Sequence, residues 1–310
     1  MSRLNNETSE YAKKEAIAQK SQGKPSREIA KILGVSKSWV NNVYNQHMKS
    51  KGQPRILYID IESAPSIAAA FGRFKVNITH DHVLSEGGWF LSACWSWNYS
   101  DKVEGLVLTP TEARKKDDSR IISKLHELIS AADVVIAHNA KDFDVKMFNT
   151  RCVLNGFYPA NSVKITDTLV IARRFKFNSN KLDSLCDYFN LGRKIQHQGI
   201  QLWIKCLDGD REALKEMLAY NKEDVVLLKK LHDCLRPWDT QPINAGHFVE
   251  GESPVCPQCG SWHVLKTGKL VYNGVSAYTE YQCGTCGSLS RDRQSTVPKS
   301  KRKSLLTPVR

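Results

Sequence analysis

The chain has 310 residues, of which 41% are hydrophobic and 25% charged, with a formal net charge of +13. This length allows one large domain with smaller modules, and the balance is typical of globular proteins. The nine cysteines lack the spacing of a disulfide framework, and no apolar run approaches the roughly 20 residues of a membrane span. These features argue against a secreted disulfide scaffold and a membrane protein. We therefore expect a soluble protein of the reducing cytoplasm.

The positive charge is concentrated at the two ends of the chain. Residues 1–54 hold ten basic and four acidic side chains, and residues 287–310 hold seven and one. Residues 55–239 between them have a net charge of only +2. A polyanion held by the flanking regions explains this distribution, although basic ends also serve solubility. We therefore expect a nucleic acid partner.

Residues 1–50 are predicted to form a small helical module. The segment KPSREIAKILGVSKSWVNNVYNQH contains two helical patterns separated by Gly34, and Ser36 can cap the second. It resembles a helix-turn-helix of the homeodomain-like or resolvase-like kind, whose second helix would contact DNA. A helical bundle for protein contact is the alternative. The candidate contact residues on the second helix are Lys37, Ser38, Asn41 and Asn42.

The central region, residues 55–238, follows the linker KSKGQPR and alternates strand-like and helix-like stretches. The predicted strands are 55–61, 90–98, 102–108, 133–138 and 163–166. The predicted helices are 117–131, 142–156, 167–174, 181–190 and 210–235. This alternation predicts an α/β domain with a mixed sheet.

Two acids interrupt the apolar strand ILYIDIES. Asp60 and Glu62 are two positions apart, so both side chains project from the same face of the strand. Like charges this close repel each other unless a cation lies between them. For this pair considered alone, a strand end at which both acids reach water is the alternative.

Further acids follow in DVVIAHNAKDFDVKMF and LAYNKEDVVLLKKL. In the first segment Asn139 fits a turn, and Asp144 follows Phe143 at a helix start, near the strand end where α/β sites gather. In the second segment Tyr220 and Asp224 lie one helical turn apart on the same face. Alone, Tyr220 could be a core residue and Asp224 a solvated charge.

Four carboxylates that converged from these elements would form a site for hard divalent cations. Mg²⁺ and Mn²⁺ prefer oxygen ligands and bridge to phosphate oxygens. Two such ions about 4 Å apart stabilise both the attacking and the leaving oxygen of an in-line phosphoryl displacement. The acids therefore indicate metal-dependent phosphoryl chemistry.

The segments YIDIES, HNAKDFD and YNKED resemble the motifs DxE, NxxxFD and YxxxD of the DEDD superfamily, the DnaQ-like 3′–5′ exonucleases. The third motif has the form of the tyrosine subclass. Flanking segments such as KLDSLCDYFNLG resemble ribonuclease H-like exonuclease domains of the YprB type. The resemblance covers residues 55–238. The residues that match the motifs are Asp60, Glu62, Asn139, Phe143, Asp144, Tyr220 and Asp224.

This resemblance implies a ribonuclease H-like mixed sheet flanked by helices, and 3′–5′ hydrolysis of nucleic acid, DNA favoured, to nucleoside 5′-monophosphates. Tyr220 would orient the attacking water or help to deprotonate it, and Asn139 would lie near the nucleic acid. Partners would be DNA with a single-stranded 3′ end and proteins of replication or repair. The ligands of two Mg²⁺ or Mn²⁺ ions would be Asp60, Glu62, Asp144 and Asp224.

Two CxxCG segments near the C-terminus resemble those of a zinc ribbon and predict such a module, with one structural zinc, over residues 250–290. Four thiolates around one zinc require two close pairs that a hairpin brings together, and Asn273-Gly274 is a turn signal between the pairs. A redox or disulfide function is the alternative, but no thioredoxin-like unit surrounds the pairs. The remaining residues, 291–310, are predicted to be a basic disordered tail. The predicted zinc ligands are Cys256, Cys259, Cys283 and Cys286.

Three functions compete for this combination of segments. A metal-dependent 3′–5′ exonuclease uses all three motifs. A DNA-binding regulator or recruitment factor with a degenerate nuclease domain would have lost some of the acids, and every motif position is filled. A transposase or integrase would have its acids in another order, and it would leave Tyr220 without a role. The exonuclease is the hypothesis that the sequence favours.

Overall fold

The computed structural model describes residues 6–21, 24–50, 54–72, 74–195, 198–251 and 253–309. The N-terminal helical module contains α1 (Asn6–Ser21), α2 (Ser26–Leu33) and α3 (Lys37–Ser50). The central domain contains β1 (Ile56–Ser63), β2 (Ile67–Ala68), β3 (Val83–Ser85), β4 (Phe90–Trp97), β5 (Glu104–Val107), α4 (Pro110–Lys115), α5 (Ser119–Ala131), β6 (Val134–Ala137), α6 (Asp144–Leu154), β7 (Lys164–Asp167), α7 (Thr168–Ala172), α8 (Leu182–Tyr188), α9 (Ile200–Leu207) and α10 (Arg211–Leu235). The C-terminal elements are β8 (Val264–Asn273), β9 (Ser276–Cys283), β10 (Leu289–Arg291) and α11 (Lys299–Ser304).

The central domain is built on a five-stranded mixed sheet with the strand order β5-β4-β1-β6-β7. Strand β1 pairs antiparallel with β4 and parallel with β6, which in turn pairs parallel with β7. The carboxyl ends of β1, β6 and β7 therefore lie at the same edge of the sheet. A mixed sheet flanked by helices confirms the predicted α/β, ribonuclease H-like fold class.

The two faces of β1 are packed differently. Leu57 and Ile59 belong to the largest apolar cluster, which includes Leu125 of α5 and Leu202 of α9. Tyr58 points the other way and packs with residues of α10. Because side chains alternate along a strand, Asp60 and Glu62 share the Tyr58 face, on which α10 lies.

Helix α10 is the longest helix among the described residues and spans 25 residues. Its start is fixed by Asp210, whose side chain accepts a hydrogen bond from the backbone N–H of Ala213 at 2.8 Å. Tyr220 and Asp224, on the face turned towards the sheet, are both buried. The packing of this helix on β1 and β4 therefore brings two of the predicted site residues to the acids of β1.

The N-terminal helical module has a small apolar core formed by Ala16, Ile29, Ala30 and Val40. Gly34 ends α2 in the left-handed conformation, with φ of 64°, which favours glycine. The module contacts the central domain through Asp101, in the turn between β4 and β5. This carboxylate accepts hydrogen bonds from the Lys20 ammonium at 2.6 Å and from the Ser26 N–H at 3.1 Å.

The C-terminal module, residues 253–291, is a three-stranded antiparallel sheet with the order β10-β9-β8. Strands β8 and β9 form a hairpin in which Asn273 pairs with Ser276, and Gly274 in the turn has φ of 56°. In the segment predicted to be a disordered tail, β10 extends to Arg291 and α11 forms a short helix.

Helices α4 and α9 were not predicted. Helix α4 has only six residues, but its start carries a capping box: Thr109 accepts from the N–H of Glu112, whose side chain accepts from the N–H of Thr109. That signal was available in the segment TPTE.

The described part of the chain contains no helix with the length and apolar character needed to cross a membrane.

Candidate active site

Three of the predicted acids come together at the sheet edge where β1 ends. The carboxylate oxygens of Asp60, Glu62 and Asp224 lie within 4.8 Å of one another. Asp60 and Glu62 come from one face of β1, and Asp224 comes from the helix packed against that face. Oxygen ligands at this spacing can share a hard divalent cation.

Asp144 lines the same cavity but is not part of the 4.8 Å cluster. It is the first residue of α6 and is 3% exposed. Its charge still reaches the cluster, because the charge of Asp144 raises the pKa of Asp60 and that of Glu62 raises the pKa of Asp144. The cavity has a volume of about 560 Å³, and Phe143 and Tyr220 also line it.

Asn139 forms the turn that the sequence predicted, and its φ of 73° is left-handed. Its backbone N–H donates to Asp167 Oδ1 at 2.9 Å, and the N–H of Lys141 donates to Asp167 Oδ2 at 3.2 Å. Asp167 also caps α7 through the N–H of Leu169. The carboxylate of Asp167 therefore holds the loop that leads to Asp144. Asn139 itself does not line the acidic cavity.

The sequence did not predict Lys194 as a site residue. Its ammonium donates to Asp224 Oδ2 at 2.6 Å and to the Tyr220 hydroxyl at 3.0 Å. It also lies 5.1 Å from the centre of the Tyr220 ring. Lys194 therefore provides a positive charge inside the acidic cluster. Its place in the loop before α9 gives no periodic relation to the other site residues.

Asn221 and Trp203 are two further contacts of the site that sequence reasoning missed. The side-chain amide of Asn221 donates to Asp60 Oδ2 and accepts from the Ser92 hydroxyl at 3.3 Å. Trp203 of α9 donates a hydrogen bond to Glu62 and packs edge-on against Tyr220, with ring centres 6.1 Å apart. These contacts orient the carboxylates of β1.

Burial shifts the ionisation of the acids. It raises the pKa of Asp60 well above its usual range, and the neighbouring charges of Asp224 and Glu62 raise it further. Burial also raises the pKa of Glu62 to about 7 and that of Asp144 to about 8. It raises the pKa of Asp224 as well, although Lys194 acts in the opposite direction. The protein alone therefore resists full ionisation of this cluster.

The residues present fit a divalent cation. Asp224 Oδ1 is buried and, among the described residues, has no hydrogen-bond partner. An unsatisfied buried carboxylate oxygen is unfavourable, and it points to a ligand bound at this position. The residues that would hold cations are Asp60, Glu62, Asp144 and Asp224.

We expect the metal-free protein to lose stability as the pH rises from about 5 to about 8. Unfolded carboxyl groups titrate near pH 4, whereas the folded pKa values of Glu62 and Asp144 are about 7 and about 8. The folded state therefore binds more protons in this interval, and its stability falls as they are lost. Urea unfolding in the presence of EDTA measures the effect. Adding a divalent cation should reverse it, and a stability that rises with pH in EDTA would contradict it.

Replacing Lys194 with Met should destabilise the metal-free protein and tighten cation binding. The first effect, about 3 kcal/mol, follows because Asp224, 1% exposed, loses its ion-pair partner. The second follows because the cluster loses its internal cation. Urea unfolding in EDTA and calorimetric titration with Mn²⁺ test the two effects. Lys181→Met is the matched control, since Lys181 lines the same cavity without an ion pair among the described residues. Wild-type behaviour of Lys194→Met in both measurements would contradict the prediction.

The four cysteines of the CxxCG segments converge in the C-terminal module. The Sγ atoms of Cys256 and Cys286 are 3.6 Å apart, and those of Cys259 and Cys283 are 3.7 Å apart. Four sulfurs placed 2.3 Å from a central zinc at tetrahedral corners would be about 3.8 Å apart. The cluster therefore has the geometry of a tetrahedral thiolate site and is compatible with zinc.

Backbone turns bring these sulfurs together. Gly260 and Gly287, which follow the two pairs, have φ of 72° and 77°. Each donates its N–H to the carbonyl of the first cysteine of its pair, at 2.9 Å. The Thr285 N–H also points at the Cys283 sulfur, at 3.4 Å. Glycine adopts this positive φ readily, so both turns close behind the cysteine pairs.

The candidate DNA-contact residues of α3 differ in their exposure to solvent. Ser38 and Asn42 are both exposed and lie one turn apart, and Lys37 is half-buried. The side-chain oxygen of Asn41 accepts a hydrogen bond from Ser26 at 2.7 Å, which joins α3 to α2. A contact of these residues with DNA stays a prediction.

One family model matches the central part of the chain. Residues 85–236 match the family model of the RNase_H superfamily. This region contains Asp144, Tyr220 and Asp224, whereas Asp60 and Glu62 precede it. This match agrees with the ribonuclease H-like fold of the central domain.

Among solved structures, the chain is similar to the family B DNA polymerase from the hyperthermophilic archaeon Pyrobaculum calidifontis, with 14% sequence identity and a TM-score of 0.44. The similarity covers 59% of this chain and only 25% of the polymerase chain. None of the curated proteins matches the sequence.

Proposed function

We propose that this protein is a metal-dependent 3′–5′ exonuclease of the tyrosine subclass of DEDD enzymes. Its substrate would be nucleic acid, with DNA favoured, and its products would be nucleoside 5′-monophosphates. The observation that carries the proposal is the convergence of Asp60, Glu62 and Asp224, with Tyr220 one helical turn from Asp224. An acid cluster with a phenol beside it suits hydrolysis of a phosphodiester by water.

The chain's own residues would position the reactants. Two Mg²⁺ or Mn²⁺ ions, when bound, would supply a nucleophilic water and would stabilise the attacking and leaving oxygens of an in-line displacement. Asp60, Glu62 and Asp224 would hold these ions, together with Asp144, which lines the same cavity. Hydrogen bonds from Asn221 and Trp203 would fix Asp60 and Glu62 in place.

Tyr220 would orient the attacking water rather than remove its proton. Burial and the charge of Asp224 raise the pKa of the Tyr220 phenol above its usual range, so the hydroxyl stays protonated at neutral pH. It donates to Asp224 and accepts from Lys194, a pairing that fixes the direction of its lone pairs. Tyr220→Phe would therefore slow hydrolysis without preventing cation binding.

The other modules would serve the substrate. A zinc ion held by the four cysteines would be structural, because four protein ligands leave no open position. The N-terminal module would bind DNA through Ser38 and Asn42 in the manner of a helix-turn-helix.

The test is degradation of labelled DNA and RNA, single-stranded and duplex, in the presence of Mg²⁺ or Mn²⁺. We expect mononucleotides from the start of the reaction, and we expect a blocked 3′ end to stop it. A reaction that ignored the 3′ block would indicate an endonuclease. Binding of DNA without any cleavage would instead favour a regulator with a degenerate nuclease domain.

A further inference from the structure

A large cleft separates the central domain from the C-terminal module. Its volume is about 1030 Å³, larger than the 560 Å³ of the acidic cavity. One wall contains Arg174 and Trp238 of the central domain, and the other contains Tyr278, Arg291 and Arg293 of the C-terminal module and the segment after it. We call this space the interdomain cleft.

Direct contacts hold the two walls of the interdomain cleft together. The side-chain amide of Gln258 donates to the carbonyl of Asp239 at 2.6 Å. The N–H of Ala245 donates to the carbonyl of Pro257 at 2.8 Å. These hydrogen bonds fix the C-terminal module against the central domain beside the cleft.

The cleft continues to the loop that precedes Asp144. A smaller cavity of about 300 Å³ shares Arg174, Asp239 and Thr240 with it, and this cavity is also lined by Lys141. Lys141 lies three residues before Asp144 in the loop held by Asp167. A path of adjoining cavities thus runs from the loop beside the acids to the C-terminal module.

The charges along this path suit a polyanion. Among the described residues, no carboxylate forms an ion pair with any of its five basic side chains. Three acids also line the path, and each has another partner. Asp167 accepts backbone N–H groups, Asp239 accepts the N–H of Gln241 at 2.8 Å, and Asp292 accepts from the Tyr281 hydroxyl at 3.4 Å. Unpaired cations beside a site for phosphate chemistry favour a phosphate backbone. The five basic residues are Lys141, Lys164, Arg174, Arg291 and Arg293.

Exposed aromatic surface lies beside these cations. Trp238 is 56% exposed, although Phe175 holds its ring edge-on, with ring centres 5.3 Å apart. Across the cleft the Arg291 guanidinium lies 3.9 Å from the centre of the Tyr278 ring. Aromatic faces and arginine along a basic groove are the features with which proteins bind unpaired bases and their backbone.

We propose that the interdomain cleft binds single-stranded nucleic acid, so that the C-terminal module clamps the strand whose end lies in the acidic cavity. This inference rests on the proposed function and adds to it a second substrate contact outside the acidic site. A single strand fits better than a duplex because its bases are free to stack on Trp238 and on the Arg291 guanidinium that covers the Tyr278 ring. The clamp would make affinity depend on strand length.

The test is fluorescence anisotropy with labelled DNA strands of increasing length, up to about 16 nucleotides, the largest site size of common single-strand binding domains. The parent protein carries Asp224→Asn to prevent cleavage. We expect Trp238→Ala to weaken binding of the longest strands about tenfold, as loss of a stacked base does. The shortest strands, which end before the cleft, should bind as tightly as they do to the parent.

Matched controls come from the C-terminal module, outside the cleft. Trp262, 50% exposed, and the exposed Lys269 do not line the cleft, so Trp262→Ala and Lys269→Ala should bind all strands as the parent does. Arg293→Ala should lower the slope of log affinity against log salt by about 0.7, the loss of one phosphate contact. Parental binding by Trp238→Ala at every length, or an equal loss in Trp262→Ala, would overturn the proposal.

Binding and cleavage separate this proposal from the proposed function. If the wild-type protein degrades DNA and the cleft variants bind normally, the clamp is wrong and the exonuclease stands. If the wild-type protein degrades nothing while Trp238→Ala loses affinity for long strands, the exonuclease is wrong and the cleft remains a nucleic-acid site.

Discussion

Replacing Asp224 with Asn should lower the rate of metal-dependent DNA degradation by about a thousandfold or more. The change keeps the shape of the side chain but removes the charge from one of the three clustered carboxylates. Cations contribute several kcal/mol of charge stabilisation to such transition states, and each 1.4 kcal/mol corresponds to about a tenfold rate. Release of labelled mononucleotides from a 3′ end measures the effect.

The matched control is Asp233→Asn, the same substitution on the same helix. Asp233 is exposed and lies outside the acidic cavity, so its loss should leave the rate within about threefold, the scale of an ordinary surface change. Circular dichroism and a melting curve establish that both variants are folded. Should Asp224→Asn and Asp60→Asn both retain wild-type rates, the reaction would occur elsewhere in the protein.

The local geometry of the acids could be read from the sequence because it depends only on secondary-structure periods. Two residues along a strand place Asp60 and Glu62 on one face, and four residues along a helix place Tyr220 above Asp224. These periods do not show that the two pairs share one site. That prediction came from the resemblance to known motifs. The packing of α10 on β1, which brings them together, is a tertiary contact between distant segments that no local period encodes.

Lys194 shows the limit of that reasoning. It lies in a loop, 30 residues before Asp224, and neither strand nor helix periodicity relates it to the site. Its role follows from charge instead, because a buried acidic cluster needs a nearby cation. Trp203 was missed for a related reason: it belongs to α9, an eight-residue helix that was not predicted.

The path along the interdomain cleft could not be predicted from the sequence either. The sequence indicated a basic C-terminal end, but not which of its residues face the central domain. Trp238 and Arg291 come from separate modules and meet across one cavity only in the folded chain. The charge distribution in the sequence thus predicted a nucleic acid partner. The packing of the modules indicates the surface that we propose for it.

The cysteine cluster should hold one zinc ion per chain, and Cys256→Ser should lose that ion together with the structure of the C-terminal module. This module has little apolar core: Leu265 and Tyr272 are 58% and 76% exposed. A domain of this size without a large apolar core depends on disulfides or a bound metal for its stability. The binding free energy of structural zinc in small zinc modules is about 10–16 kcal/mol. Elemental analysis and limited proteolysis measure the two losses. Cys234→Ser, at a thiol outside the cluster, is the control and should keep both zinc and structure. A module that resists proteolysis equally with Cys256→Ser would show that its fold does not depend on the metal.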